Sequence, residues 1–156
     1  MRMQALLSLI LMCGFLNSGR GESLPIRVPS IFSDHMILQQ GQPVPVWGWA
    51  EPDTVVTLTF HEQTRITRSD HSGRWSIKFA SESASAEPRT LIIRSGPNSL
   101  HINDVLVGEV WLCSGQSNMA MTIDGKTAWL HVGGIANAKD VVRNSADRLL
   151  RQFKVE

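Results

Sequence analysis

Cysteine is nearly absent from this 156-residue chain. There are two, Cys13 and Cys113, so at most one intrachain disulfide is available and no disulfide framework can replace a packed core. Like-charge blocks are also missing. Charged residues make up 19% and the formal net charge is +1, which offers no electrostatic handle for nucleic acid or an acidic polymer. No apolar run reaches the length of a membrane span. No His-x-x-x-His or paired-cysteine spacing suggests a metal, and Gly133-Gly134 lacks the lysine of a phosphate loop. The sequence thus calls for no cofactor. The hydrophobic share, 42%, is that of an ordinary globular protein.

What is present divides into three parts. Arg2 precedes an apolar stretch at 5–15, broken only by Ser8 and Gly14, and small polar residues follow at 17–21. This layout predicts a secretory signal peptide over 1–21 and a secreted or periplasmic protein, with no membrane attachment after cleavage. Cleavage would remove Cys13, leaving Cys113 alone as a small buried hydrophobe.

From 22 to 104 the pattern is strand-like. Val56, Leu58 and Phe60 alternate with threonines, and Trp75, Ile77 and Phe79 alternate with Ser76 and Lys78. Turn signals separate the runs: Glu51-Pro52-Asp53, Asp70-His71-Ser72-Gly73 and Ser95-Gly96-Pro97-Asn98. Residues 81–88 read as an exposed polar loop. Pro45 marks its strand as an edge. The expectation is an antiparallel β-sandwich. Trp47 and Trp49 share strand parity, which suits either core packing or an aromatic platform for sugar rings.

From 105 the text changes. Val105-Leu106-Val107 and Val110-Trp111-Leu112-Cys113 are nearly unbroken apolar runs, as in a strand buried on both faces. On this reading Trp111 is core, and Met121 is a packing residue. A glycine-bordered loop follows at 124–134, then helical spacing over 135–147. The apolar run ends in Ser114-Gly115-Gln116-Ser117-Asn118. A serine delivered there by a strand could be a nucleophile, given a base and an oxyanion hole, or simply a helix N-cap. Met119 stands where the Gly-x-Ser-x-Gly elbow has its second glycine.

The block at 108–119, Gly-Glu-Val-Trp-Leu-Cys-Ser-Gly-Gln-Ser-Asn-Met, resembles the nucleophile block of the sialate O-acetylesterase family of SGNH (GDSL-like) hydrolases. Residues 29–39, 43–50 and 70–75 resemble the same proteins. The resemblance implies a mixed fold: an N-terminal antiparallel, jelly-roll-like β-sandwich at 22–104, then the first strand and helix of an α/β SGNH hydrolase domain at 105–156, truncated. It implies Ser117 as nucleophile, with its backbone N–H in the oxyanion hole and Gly115, Gln116 and Asn118 shaping the turn. The implied substrate is an acetylated sugar or sialoglycan, hydrolysed without a metal.

The chain departs from that pattern in one decisive respect. The family's general base lies in an Asp-x-x-His segment, and none occurs in this sequence. His131 alone follows Ser117, with Asp124 or Asp140 as conceivable partners, and nothing matches it to the family's base. Asp34-His35, adjacent in sequence, reads as structural. The expectation is an esterase region inactive by itself. The alternative is a non-catalytic carbohydrate-binding or packing sandwich.

Overall fold

The computed structural model describes residues 23–116, 121–125 and 134–155. Among these described residues, seven strands and one short helix follow in order: β1 (Ile37–Gln39), β2 (Val44–Trp49), β3 (Val55–Phe60), β4 (Gln63–Arg68), β5 (Arg74–Phe79), β6 (Ser85–Ser95), β7 (Asn98–Gly108) and α1 (Ala138–Asn144). They form a five-stranded sheet ordered β1-β7-β6-β3-β4 and a two-stranded sheet of β2 and β5. All pairings are antiparallel except β1 with β7, which is parallel. Among the described residues no helix is long and apolar enough to cross a membrane.

Period-two alternation is what builds this arrangement. In β3, Val56, Leu58 and Phe60 point inward and are fully or almost fully buried. Leu91 and Ile93 of β6 and Val105 of β7 lie beside them at the same depth. From the small sheet come Val46, Trp75 and Phe79, buried in the same cluster. Phe60 and Phe79 meet across the two sheets with ring centroids 6.1 Å apart, so the layers close face to face on one core.

The turns follow from their polar residues. Asp70 Oδ1 accepts from Ser72 N at 2.8 Å and Arg74 N at 2.9 Å, and Gly73 takes the left-handed conformation (φ 78°) that this turn requires. Below it, the buried hydroxyl of Ser69 donates to the Glu51 carbonyl at 2.6 Å. Thr54 Oγ1 and Ser95 Oγ lie 2.9 Å apart. These buried polar groups therefore have partners.

Several sequence expectations are corrected here. The strand expected to begin at 105 is the end of β7 (Asn98–Gly108). Val105, Leu106 and Val107 are buried in the five-stranded sheet rather than opening a second one. Residues 110–113 form no strand and are exposed, Trp111 at 82% and Leu112 at 91%. Trp111 is thus not core, and Cys113 is exposed rather than buried. Met121 is likewise exposed. Nothing among the described residues covers this apolar run. Residues 85–88, expected in a loop, begin β6, with register irregularities between Ser85 and Leu91 where the strand bends. The helix expected over 135–147 is confined to α1, which buries no residue.

Candidate active-site segment

The candidate nucleophile segment leaves the sandwich at the end of β7, and two adjacent glutamines hold that exit. Parallel pairing sets Gln39 beside Gly108. Gln40 N donates to the Gly108 carbonyl at 2.8 Å, and Val110 N donates to Gln39 Oε1 at 2.8 Å. The side-chain amides of Gln40 and Gln39 both donate to the Glu109 carboxylate, at 2.5 and 3.3 Å. These bonds, that from Gln40 foremost, hold the Glu109 carboxyl below its usual range. Gln39, Gln40 and Glu109 were not singled out from the sequence. The available signal was that Gln39 and Glu109 each lie in a block of the family resemblance, and the fold brings those blocks together.

Beyond this anchor, Gly115 and Gln116 are exposed and irregular. Ser117 and Asn118 lie outside the described residues, as does His131. The described histidines all have partners within the sandwich or at its edge. His35 Nδ1 is 2.6 Å from Asp104 Oδ2, His61 Nδ1 is 3.1 Å from Glu82 Oε2, His71 Nδ1 is 2.8 Å from Asp53 Oδ2, and His101 Nε2 is 2.9 Å from Ser99 Oγ. The hydrogen bond to Asp53 raises the His71 pKa. The Asp34 carboxylate accepts from the Asn103 backbone N–H at 2.6 Å and the His35 ring faces Asp104, so the two side chains serve different residues. Asp124 accepts from Thr122 at 2.6 Å, and Asp140 pairs with Arg143 at 3.4 Å. Among the described residues no group of three or more His, Cys, Asp or Glu could hold a metal ion.

A second junction ties the tail to the sandwich. Arg151 donates to Asp104 Oδ1 at 2.9 Å, to the Met36 carbonyl at 3.2 Å and to the Asp104 carbonyl. His35 holds the other oxygen of the same carboxylate. These bonds, led by the one from His35, lower the Asp104 pKa.

No protein-family model matches the chain. Curated relatives do. The sialate O-acetylesterases of Homo sapiens and Pongo abelii are each 30% identical over 115 residues, which is 67% of this chain and 22% of theirs. That of Mus musculus is 29% identical over 114 residues. A solved carbohydrate acetylesterase from Xanthomonas citri aligns with a TM-score of 0.62 and 32% identity, over 64% of this chain and 23% of that one. The matched region belongs to the sialate O-acetylesterase family. This chain spans about a fifth of the length of the curated sialate O-acetylesterases it matches.

The two tryptophans proposed from the sequence as a sugar platform do share a face. Trp47 is 41% exposed, and Trp49 is partly so. Trp47 also takes an edge contact from Phe32, centroids 4.8 Å apart. Trp75 is 3% exposed, and its buried indole N–H has no hydrogen-bond partner among the described residues.

Proposed function

We propose that this chain carries the sandwich and the nucleophile segment of a secreted or periplasmic carbohydrate O-acetylesterase, with residues 1–21 as its signal peptide. Its sandwich is jelly-roll-like and precedes an SGNH hydrolase domain. Ser117 is the nucleophile: its hydroxyl attacks the acetyl carbonyl, a base takes the hydroxyl proton, and the sugar alcohol leaves carrying a proton. Water then cleaves the acetyl-serine, releasing acetate and restoring the hydroxyl. The Ser117 N–H, on the turn shaped by Gly115, Gln116 and Asn118, stabilises the oxyanion. The substrate is an acetylated sugar, by analogy with the names of the relatives, and no cofactor enters the chemistry.

The observation that supports this most directly is the Gln39–Glu109 anchor. It joins two blocks of the family resemblance and fixes where the serine segment leaves the sheet. The base in this reading belongs to an Asp-x-x-His segment, which these 156 residues do not contain. The chain alone therefore turns over little or no ester. Fusing to it the Asp-x-x-His-bearing region of a related acetylesterase should create aryl-acetate hydrolysis, and Ser117→Ala in the fusion should remove it. Hydrolysis that survives Ser117→Ala would overturn the assignment. The alternative, a carbohydrate-binding sandwich without catalysis, draws on the exposure of Trp47 and the partial exposure of Trp49.

A further inference from the structure

Both ends of the stretch that carries Ser117 are fastened to the same short strand. Among the described residues β1 pairs with β7 alone, in a parallel ladder of Ile37 with Leu106, Leu38 with Val107 and Gln39 with Gly108. Where the ladder begins, Arg151 bridges the two strands. It donates to the Met36 carbonyl beside β1 and to the Asp104 carbonyl and carboxylate in β7. The His35 ring reaches the same carboxylate, and His35 N donates to the Asn103 carbonyl at 3.0 Å. Where the ladder ends, a second bridge runs from Gln39 and Gln40 to Glu109 and Val110. Gln40 N closes that end on the Gly108 carbonyl.

The ladder between these bridges is weak by itself. Parallel pairing is slightly weaker per residue than antiparallel pairing, and an ordinary strand runs to about five or six residues. β1 has three and stands at the end of the sheet. Its one buried side chain is Leu38. The Met36 carbonyl shows how closely the strand and the tail are joined: it accepts from Leu106 N at 3.1 Å and from Arg151 Nη1 at 3.2 Å. The two bridges lie about 10 Å apart along the strand. Groups at that separation with no shared partner ordinarily act independently. These two share β1, which is too short to fray at one end and stay closed at the other.

We propose that β1 opens and closes as one unit, and that Arg151 is thereby a positioning residue for the segment that starts at Glu109 and leads to Ser117. Arg151 touches neither Glu109 nor Val110 among the described residues. It acts on them through β1, by holding the far end of the ladder shut. Glu109 acts on the His35–Asp104 junction in the same way from the other side, since a coupling between two sites is reciprocal. The consequence for catalysis rests on the esterase reading of Ser117. The coupling itself does not.

The test is residue-resolved hydrogen exchange on the full chain. Arg151→Ala should raise exchange at the Gln40 and Val110 amides about tenfold, as the loss of one charge-assisted contact warrants. The His35 amide should rise by the same factor, because all three report one opening. Glu109→Ala should likewise raise His35 and Gln40 together. Amides of β3 should not change in either variant. Arg143→Ala breaks the ion pair with Asp140 on α1 and should leave all three amides as they were. Should Arg151→Ala fail to fold, Asp104→Asn removes the same charge pairing, and asparagine tolerates the left-handed backbone at that position. In the fusion that carries an Asp-x-x-His region, Arg151→Ala should lower kcat about tenfold and leave KM within about twofold, since a misplaced hydroxyl costs rate rather than binding. Arg151→Lys should restore part of kcat.

Faster exchange confined to the mutated end in both variants would overturn the coupling. So would a rise that includes β3, which would mark a general loss of stability, or an equal rise in Arg143→Ala. An active fusion whose kcat is indifferent to Arg151→Ala would overturn the positioning role. A fusion with no activity would count against the esterase reading, while exchange in the parent chain still decides the coupling.

Discussion

Arg151 and Asp104 join the tail of the chain to the sandwich, with Nη2 and Oδ1 2.9 Å apart. Asp104 adopts a left-handed backbone (φ 54°), as does its other partner, His35 (φ 67°). Such conformations are uncommon for residues with a side chain, and here the side chains of both residues are engaged across the junction. Arg151 reaches two carbonyls as well as the carboxylate, so one guanidinium closes three contacts.

Arg151→Ala should free residues 145–155 without unfolding the sandwich. The expected result is a several-fold rise in hydrogen exchange and proteolytic cleavage in that segment, with β3, β6 and β7 still protected. Arg151→Lys should recover only part of the effect, because an ammonium cannot reproduce the fork. Loss of protection throughout the sandwich would show the clasp to be part of the core instead.

The same junction gives an acid dependence of definite sign. Asp104 has its pKa lowered from 3.8 by the hydrogen bonds from His35 and Arg151. A carboxyl with a lower pKa when folded contributes stability that is complete above its unfolded value. That contribution is lost as pH falls through the folded value. Burial alone would raise the Glu82 pKa, but bonds from Gln63 and Arg89 outweigh it and lower it. Glu109 is lowered by Gln40 and Gln39. Denaturant melts between about pH 2 and pH 6 should therefore show stability falling towards acid, and Asp104→Asn should flatten part of that slope. An unchanged slope would mean the carboxylate is not held as described.

The sandwich was legible in the sequence because its strands obey one rule. Alternation in 55–60 and 74–79, bounded by turn residues, fixes which side chains face inward. The assignment at 105–113 failed for a physical reason. A continuous apolar run states that a segment is suited to burial, but not which surface covers it. Val105 and Val107 are buried in the core cluster, whereas Val110, Trp111 and Leu112 are exposed. The Gln39–Glu109 anchor was illegible for another reason: it depends on parallel pairing between strands about seventy residues apart in sequence, which no local pattern encodes.

Gly48 tests the close approach of β2 to its neighbours. A Cβ there would lie 2.3 Å from the Arg27 carbonyl oxygen and 2.8 Å from Trp75 Cζ2. Neither the bridging backbone nor a buried indole can give way easily. Gly48→Ala should therefore cost about 1–3 kcal/mol or more in denaturant melts. Gly108→Ala is the contrast, since its Cβ would meet only Ile37 Cγ2, at an ordinary 3.5 Å. Its effect should stay within about 0.5 kcal/mol. Equal costs at both positions would refute the packing described around Gly48.

Trp111 and Leu112 are the most informative surface residues because their exposure contradicts their composition. Two large apolar side chains side by side on a surface favour self-association or a missing cover. In the chain as it stands they bury little, so Trp111→Ser and Leu112→Ser should change stability by no more than about 0.5 kcal/mol. Both substitutions should raise solubility and reduce binding of a hydrophobic dye. In the fusion that carries an Asp-x-x-His region, the same serines should destabilise by about 2–5 kcal/mol if the proposed hydrolase sheet encloses the segment. Trp111 fluorescence should then become protected from a soluble quencher. Destabilisation of that size in the unfused chain would show that 110–113 is already buried. Continued quenching in the fusion would show that the hydrolase sheet does not form over it.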